Sequence, residues 1–271
     1  MVNIFRQLFL EGGADRMDPI EAVALYYQYK DLAPIGTDGD RMLRRLADRL
    51  IAFDLLAPAG ELLQHQVDYR LREPVARARI ATDLAIVYLM DRRYEDATNL
   101  LRETRVAGLP QELVNERYLL QARAMVELGR HDQALELVED NHTDAADRLR
   151  ADVAWDLQDW PTAGRSLEVI LGQRHQERRA LSDSEQSDLI RAAIAYSLSG
   201  DVVSAIRLGE RYGEAMAVTE QAAAFEVLTA NDAMPGDVRL ADMTGRIASI
   251  DTLDAFMEPF RARFNSNNDG S

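Results

Sequence analysis

The sequence predicts an all-α fold: a right-handed superhelical solenoid of antiparallel helical hairpins, with helical caps at both ends. Three observations predict it. A turn followed by an amphipathic run containing one alanine recurs, as "DRRYEDATNLLRE" from Asp91, "GRHDQALELVED" from Gly129 and "SGDVVSAIRLGER" from Ser199. Each of these alanines has another alanine twelve residues before it. No alternating apolar run of strand type, bounded by turns, stands out.

The alanines set the register. Those of the second helices are Ala59, Ala97, Ala134, Ala163 and Ala205, spaced 38, 37, 29 and 42 residues apart. Their partners twelve residues earlier are Ala47, Ala85, Ala122, Ala151 and Ala193. Helix axes approach to roughly 8–10 Å where the side chains at the crossing are small. One alanine on each helix at a fixed offset is therefore what a repeated hairpin crossing requires. Larger residues flank the crossing: Leu46, Leu50, Leu84 and Tyr88 on first helices. Leu63, Leu101, Val138 and Leu167 follow the second alanine by four positions, on the same face. Three positions before that alanine stand Leu56, Tyr94, Trp160 and Val202, with His131 the odd member of the column.

The elements follow in order. Residues 1–37 form an N-terminal cap, whose helix "DPIEAVALYYQYK" has Pro19 near its start and leads through "APIGTDGD" into the first hairpin. Residues 38–213 form five hairpins. Pro74 and Pro110 suit the first turn of helices, where the missing N–H costs nothing. Gly129 and Gly200 suit helix ends between paired helices. Ser182 and Glu185 form a capping box before "LIRAAIAYSL". The fourth hairpin is short, with "NHTDAADRLR" compressing its first helix. Residues 214–264 form a C-terminal cap of three helices, "VTEQAAAFEVLTA", "DVRLADMTGRIASI" and "LDAFMEPFRARF", since solenoid ends expose apolar faces that need covering. Residues 265–271, "NSNNDGS", read as a disordered tail.

The paired alanines, Tyr88 and Tyr196, and "GRHDQALEL" resemble the tetratricopeptide repeat family over about Asp38 to Gly213. The first-helix tryptophan usual in that family is absent, and the spacings depart from its period of about 34 residues. "DPIEAVALYYQYKDLAPIG" and "LLQHQVD" resemble the C-terminal repeat region of longer bacterial proteins of this type. The resemblance implies a scaffold that binds a protein segment or a partner domain.

Composition narrows the function classes. The chain has 271 residues, is 47% hydrophobic and carries a net charge of −15, so it is globular and a poor general partner for phosphate backbones and anionic lipid. No cysteine is present, which excludes disulfides, thiolate metal sites and cysteine nucleophiles. Lys30 is the only lysine among 31 basic residues. Arginine recognises carboxylates with two parallel hydrogen bonds, and its codons also follow a GC-rich genome; both readings stand. "MVNIFRQLFLEGG" is too short and interrupted for a signal peptide and no apolar run approaches a membrane span. The expectation is a cytoplasmic chain with no direct membrane contact, or a periplasmic one if it is a piece of a longer protein.

No chemistry-bearing motif is present. His65, His131, His142 and His175 lack metal-ligand spacing, and His65 with Asp68 is a weak acid–base or metal pair. "ELVEDNHTDAAD" lacks the glycine and closing glutamate of a calcium loop. The reading is a non-enzymatic module without cofactor or metal. The concave face of such a solenoid is lined by first helices, which places Arg41, Arg44, Asp48, Arg79, Thr82, Asp83, Ile86, Arg123, Arg148, Asp152 and Trp155 there. The partner-binding candidates among them are Arg41, Arg44, Asp48, Arg79, Asp83, Arg123, Asp152 and Trp155. They read either as a groove for a mixed-charge peptide, with Trp155 as anchor, or as a face with internal salt bridges between repeats. Relatives of this type that clamp the terminal carboxylate of chaperone tails use lysine, arginine and asparagine. The matching places here hold Arg44, Asp48, Asp83, Glu116 and Leu120, and the acids disfavour a carboxylate ligand. The alternative function is a structural spacer or self-association unit of a larger bacterial assembly.

Overall fold

The computed structural model describes residues 7–9, 13, 17–29, 36–177, 179–230 and 252–269. Every regular element among these is helical. The chain divides into two compact units, Met1–Leu137 with Leu253–Ser271, and Val138–Thr252.

The first unit opens with α1, Pro19–Gln28, whose end is capped by the Asp18 carboxylate accepting from the Ile20 N–H at 2.9 Å. Three helix pairs follow: α2 (Thr37–Ala52) with α3 (Leu56–His65), α4 (Pro74–Met90) with α5 (Tyr94–Glu103), and α6 (Gln111–Glu127) with α7 (His131–Leu137). A π turn, Gln66–Arg70, extends α3. Pro74 holds the first position of α4, whereas Pro110 sits one residue outside α6 as its cap. The second unit contains α8 (Asp144–Asp156) with α9 (Trp160–Leu171), α10 (Asp183–Ser199) with α11 (Val202–Met216), and α12 (Ala222–Thr229). The short α8 matches the compressed segment, and the Ser182–Glu185 capping box opens α10. The last helix, α13 (Thr252–Asp269), belongs with the first unit from Leu253 onward.

One turn is used five times. Asp54, Arg92, Gly129, Gln158 and Gly200 all have positive φ, between 58° and 72°. Each lies seven residues after the first alanine of a pair and five before the second. The N–H of the following residue reaches back five residues to a first-helix carbonyl in every case, for example Arg93 to Tyr88 at 2.7 Å and Asp201 to Tyr196 at 2.9 Å. This six-to-one bond with a left-handed residue closes the helix end and satisfies otherwise orphaned carbonyls. An invariant turn makes the alanine offset invariant. All ten alanines are buried, none more than 4% exposed. The column of Leu56, Tyr94, His131, Trp160 and Val202 is the first residue of each second helix, which is why His131 fits it without being apolar.

Successive hairpins meet through a tyrosine. Tyr88 of α4 lies on Gly60 of α3 and donates its hydroxyl to Gln64 Oε1 at 2.7 Å. Tyr196 of α10 lies on Gly164 of α9 and donates to Glu168 Oε2 at 2.7 Å. Three arginines, Arg117 and Arg174 buried and Arg150 partly so, fix the connections. Arg117 donates to the Ala78 and Leu101 carbonyls at 2.8 and 2.7 Å and to the Thr82 and Thr104 hydroxyls at 2.9 Å, joining α6 to the preceding pair. Arg150 donates to the carbonyls of Val138, Glu139 and Asn141, and Arg174 to those of Arg179 and Ala180. The planar, five-donor guanidinium serves several acceptors at once, which a lysine ammonium cannot do in this geometry.

The C-terminal region departs from expectation. Residues 214–264 do not form one cap. The first three residues of that span finish α11, α12 stays with the second unit, and α13 joins the first. The physical reason lies in α13, whose Leu253, Met257 and Phe264 are each 3% exposed or less, within the same buried cluster as Met42, Leu46, Leu84 and Leu120. Full burial of such side chains is worth about 1.5–3 kcal/mol each. Helical backbone also continues to Asp269, into the stretch expected as a disordered tail, since each added residue of an existing helix gains a hydrogen bond without a new nucleus. The expected helix "DVRLADMTGRIASI" lies outside the described residues.

Candidate partner-binding face

The first helices of the first unit, α2, α4 and α6, carry six of the expected binding residues, Arg41, Arg44, Asp48, Arg79, Asp83 and Arg123, and a seventh charged residue, Glu116, that matters more than its sequence suggested. Arg44 of α2 donates from Nη1 to Asp83 Oδ2 of α4 at 2.6 Å and from Nε to Asp48 Oδ1 at 3.2 Å. Asp83 and Asp48 are both buried. Arg123 of α6 is fully buried and pairs with Glu127 one turn on. Glu116, also on α6, completes the row.

This face is occupied by α13. Arg263 donates from Nη1 to Glu116 Oε1 at 2.7 Å and from Nη2 to Asp83 Oδ1 at 3.3 Å. The Phe256 ring lies 5.6 Å from the Arg123 guanidinium, and the Arg263 guanidinium is 5.7 and 5.8 Å from the rings of Phe260 and Phe264. Cations over aromatic faces are attracted by the ring quadrupole, more strongly where water is excluded. The acids at the clamp-like positions therefore receive a guanidinium, the opposite charge from the chaperone-tail carboxylate.

Burial pushes the Asp83 carboxyl up to about 6. Arg44 and Arg263 pull it down, but Asp48 and Glu116 add to the rise. Desolvation wins because the carboxylate gives up water for partners shared with other acids.

Arg41 and Arg79 are exposed on α2 and α4. Asp152 and Trp155 belong to the second unit and to a different set of contacts. Asp152 accepts from Arg191 Nη2 at 2.8 Å, and the Arg191 guanidinium sits 5.0 Å from the Trp155 ring. Trp155 meets Trp160 edge to face, with centroids 5.3 Å apart. Arg148 pairs with the buried Asp188 at 2.7 Å. These groups join α8 to α10, so here the internal-salt-bridge reading describes the contacts.

The His65 ring lies tilted against Tyr69, with centroids 5.3 Å apart, while Asp68 accepts from Gln64 at 2.7 Å. No group of three or more potential metal ligands converges among the described residues. No helix among them is long and apolar enough to cross a membrane. No protein family, curated protein or solved structure matches the chain.

Sequence reasoning missed Arg263, Phe256, Met257 and Phe264 as members of this face. The signal available was chemical: acids where a carboxylate clamp would have amides call for a basic ligand, and "FMEPFRARF" is the chain's own arginine-bearing aromatic segment.

Proposed function

We propose that the chain is a non-enzymatic interaction module of tetratricopeptide-like hairpins, a right-handed solenoid whose concave side is the row of α2, α4 and α6. The five identical turns and the ten buried alanines support the repeat reading. The observation that carries the binding reading is the face itself: buried Asp83 and half-buried Glu116 beside an apolar floor, seating a helix through its arginine and aromatic side chains. Buried aromatic and arginine anchors are what concentrate binding energy in protein interfaces. The spacer reading has its own support in the second unit, where Asp152, Arg191, Arg148 and Asp188 satisfy one another.

Site-specific photocrosslinking tests the proposal. A photoreactive residue replaces Arg41 or Arg79 at the rim of the face, or Arg102 or Arg130 elsewhere on the first unit, in otherwise intact chains within the native lysate. The interaction reading predicts a foreign protein crosslinked from 41 and 79 and not from 102 and 130. Adducts confined to 102 and 130 would contradict it, and adducts solely between copies of this chain would favour the self-association reading.

A further inference from the structure

We infer that α13 is an internal ligand of the α2–α4–α6 face, and that the foreign partner is an amphipathic helix of the same chemistry, which binds by displacing it. The inference rests on the binding reading above and names its ligand class. The ligand pattern can be read from α13. Leu253, Phe256, Met257, Phe260 and Phe264 form a stripe at spacings of three, four, seven and eleven, the pattern of a helix laid in a groove. Arg263 stands beside the stripe and reaches the two acids. A partner helix therefore needs leucine, methionine or phenylalanine at those spacings and an arginine near its C-terminal end.

Two features make α13 displaceable. Pro259 lies inside it, so it lacks one backbone hydrogen bond and meets a steric clash with the preceding turn. Its helical form is thus supported by docking more than by its own backbone. Docking also places the buried Asp83 carboxylate, which already pairs with Arg44, and the half-buried Glu116 carboxylate on the one Arg263 guanidinium. Since α13 and the face belong to one chain, docking is an intramolecular event with a high effective concentration. A free helix of equal intrinsic affinity is held off by that advantage until it is abundant or fits better.

The test uses the full chain and a fluorescein-labelled peptide of residues 252–269. Three chains are compared: the wild type, Arg263→Glu, and Phe256→Ser with Phe264→Ser. Fluorescence anisotropy reads binding, early trypsin cleavage after Arg261 reads release of α13, and circular dichroism reads the remaining helices. The expected result is release of α13 in at least one variant with the other helices intact, and peptide binding at least tenfold tighter than to the wild type. The same peptide carrying Arg263→Glu should lose that binding. The inference is overturned if neither variant releases α13, if release collapses the whole unit, or if the released face ignores the peptide. A wild-type chain that dimerises by exchanging α13 would overturn the assignment to a foreign helix. Peptide binding with no foreign crosslink from 41 or 79 would leave the groove established and defeat the partner reading alone.

Discussion

Gly60 and Gly164 occupy the same position, one residue past a crossing alanine, and each faces a tyrosine from the next pair. The distances separate them. A methyl group on Gly60 would meet Tyr88 at 3.7 Å, an ordinary contact, whereas on Gly164 it would meet Tyr196 at 2.8 Å. The Tyr196 ring is pinned by its bond to Glu168, which also receives Arg207 at 2.8 Å and Arg211 at 3.0 Å. Burial favours protonation of Glu168, but these hydrogen bonds and charges hold its pKa below the usual value. Gly60→Ala should therefore be neutral or stabilising by up to about 1 kcal/mol through helix propensity. Gly164→Ala should destabilise by about 1–3 kcal/mol through overpacking. Urea denaturation of the two variants checks the contrast; equal effects would mean the tyrosine contacts are not as described. Asp83 gives a pH signature at the same scale. Its folded pKa is raised from an ordinary 3.8 to about 6. The folded protein thus holds a proton the unfolded chain has released, and the resulting stability is full below 3.8 and lost as pH rises through about 6. Carboxyl-carbon NMR should show Asp83 titrating near 6, and the stability of wild type relative to Asp83→Asn should fall between pH 4 and pH 7. A midpoint near 4 would contradict the buried site. Asp83 was legible in the sequence as a groove residue, but its partner was not. Arg263 lies 180 residues away, and such a contact leaves no mark on local pattern.

At the scale of the element, the hairpin turn explains both what could be read and what could not. The alanine pairs were legible because a repeated crossing demands a small residue at a fixed place. The turns were legible only at Gly129 and Gly200, where glycine announces the left-handed conformation. Asp54, Arg92 and Gln158 adopt φ of 58° without that sign. A left-handed conformation costs a residue with a Cβ roughly 1–2 kcal/mol. Arg92→Gly and Gln158→Gly should each stabilise the chain by about 0.5–2 kcal/mol, offset in part by the greater freedom of glycine in the unfolded chain. Thermal unfolding would show it, and a lowered Tm in both would argue that these side chains contribute more than their backbone costs. The crossing itself predicts the opposite sign. Ala122 and Ala193 are fully buried, so leucine at either should cost about 1–3 kcal/mol. Unchanged denaturation midpoints would remove the alanines from the crossing.

At the scale of the molecule, the helical class was readable and the division of the chain was not. The alanine spacing shortens to 29 residues between Ala134 and Ala163, but the paired alanines continue through it, and nothing in the pattern marks the boundary between the two units at Leu137 and Val138. Nor does composition reveal that α13 belongs with the first unit, because a terminal amphipathic helix reads equally well as a cap wherever it lies. The arginine excess has structural content beyond codon usage, since Arg117, Arg150 and Arg174 each gather several acceptors at a connection. The central claim is that α13 sits on the α2–α4–α6 face as a separable element held by Asp83 and Glu116. Amide hydrogen exchange of the full wild-type chain, beside the Asp83→Ala and Glu116→Ala double variant, tests it most directly. The account predicts protection across residues 253–264 in the wild type, lost in the variant, while α2, α4 and α6 keep theirs. An unprotected α13 in the wild type, or loss of protection in all four helices together, would contradict it.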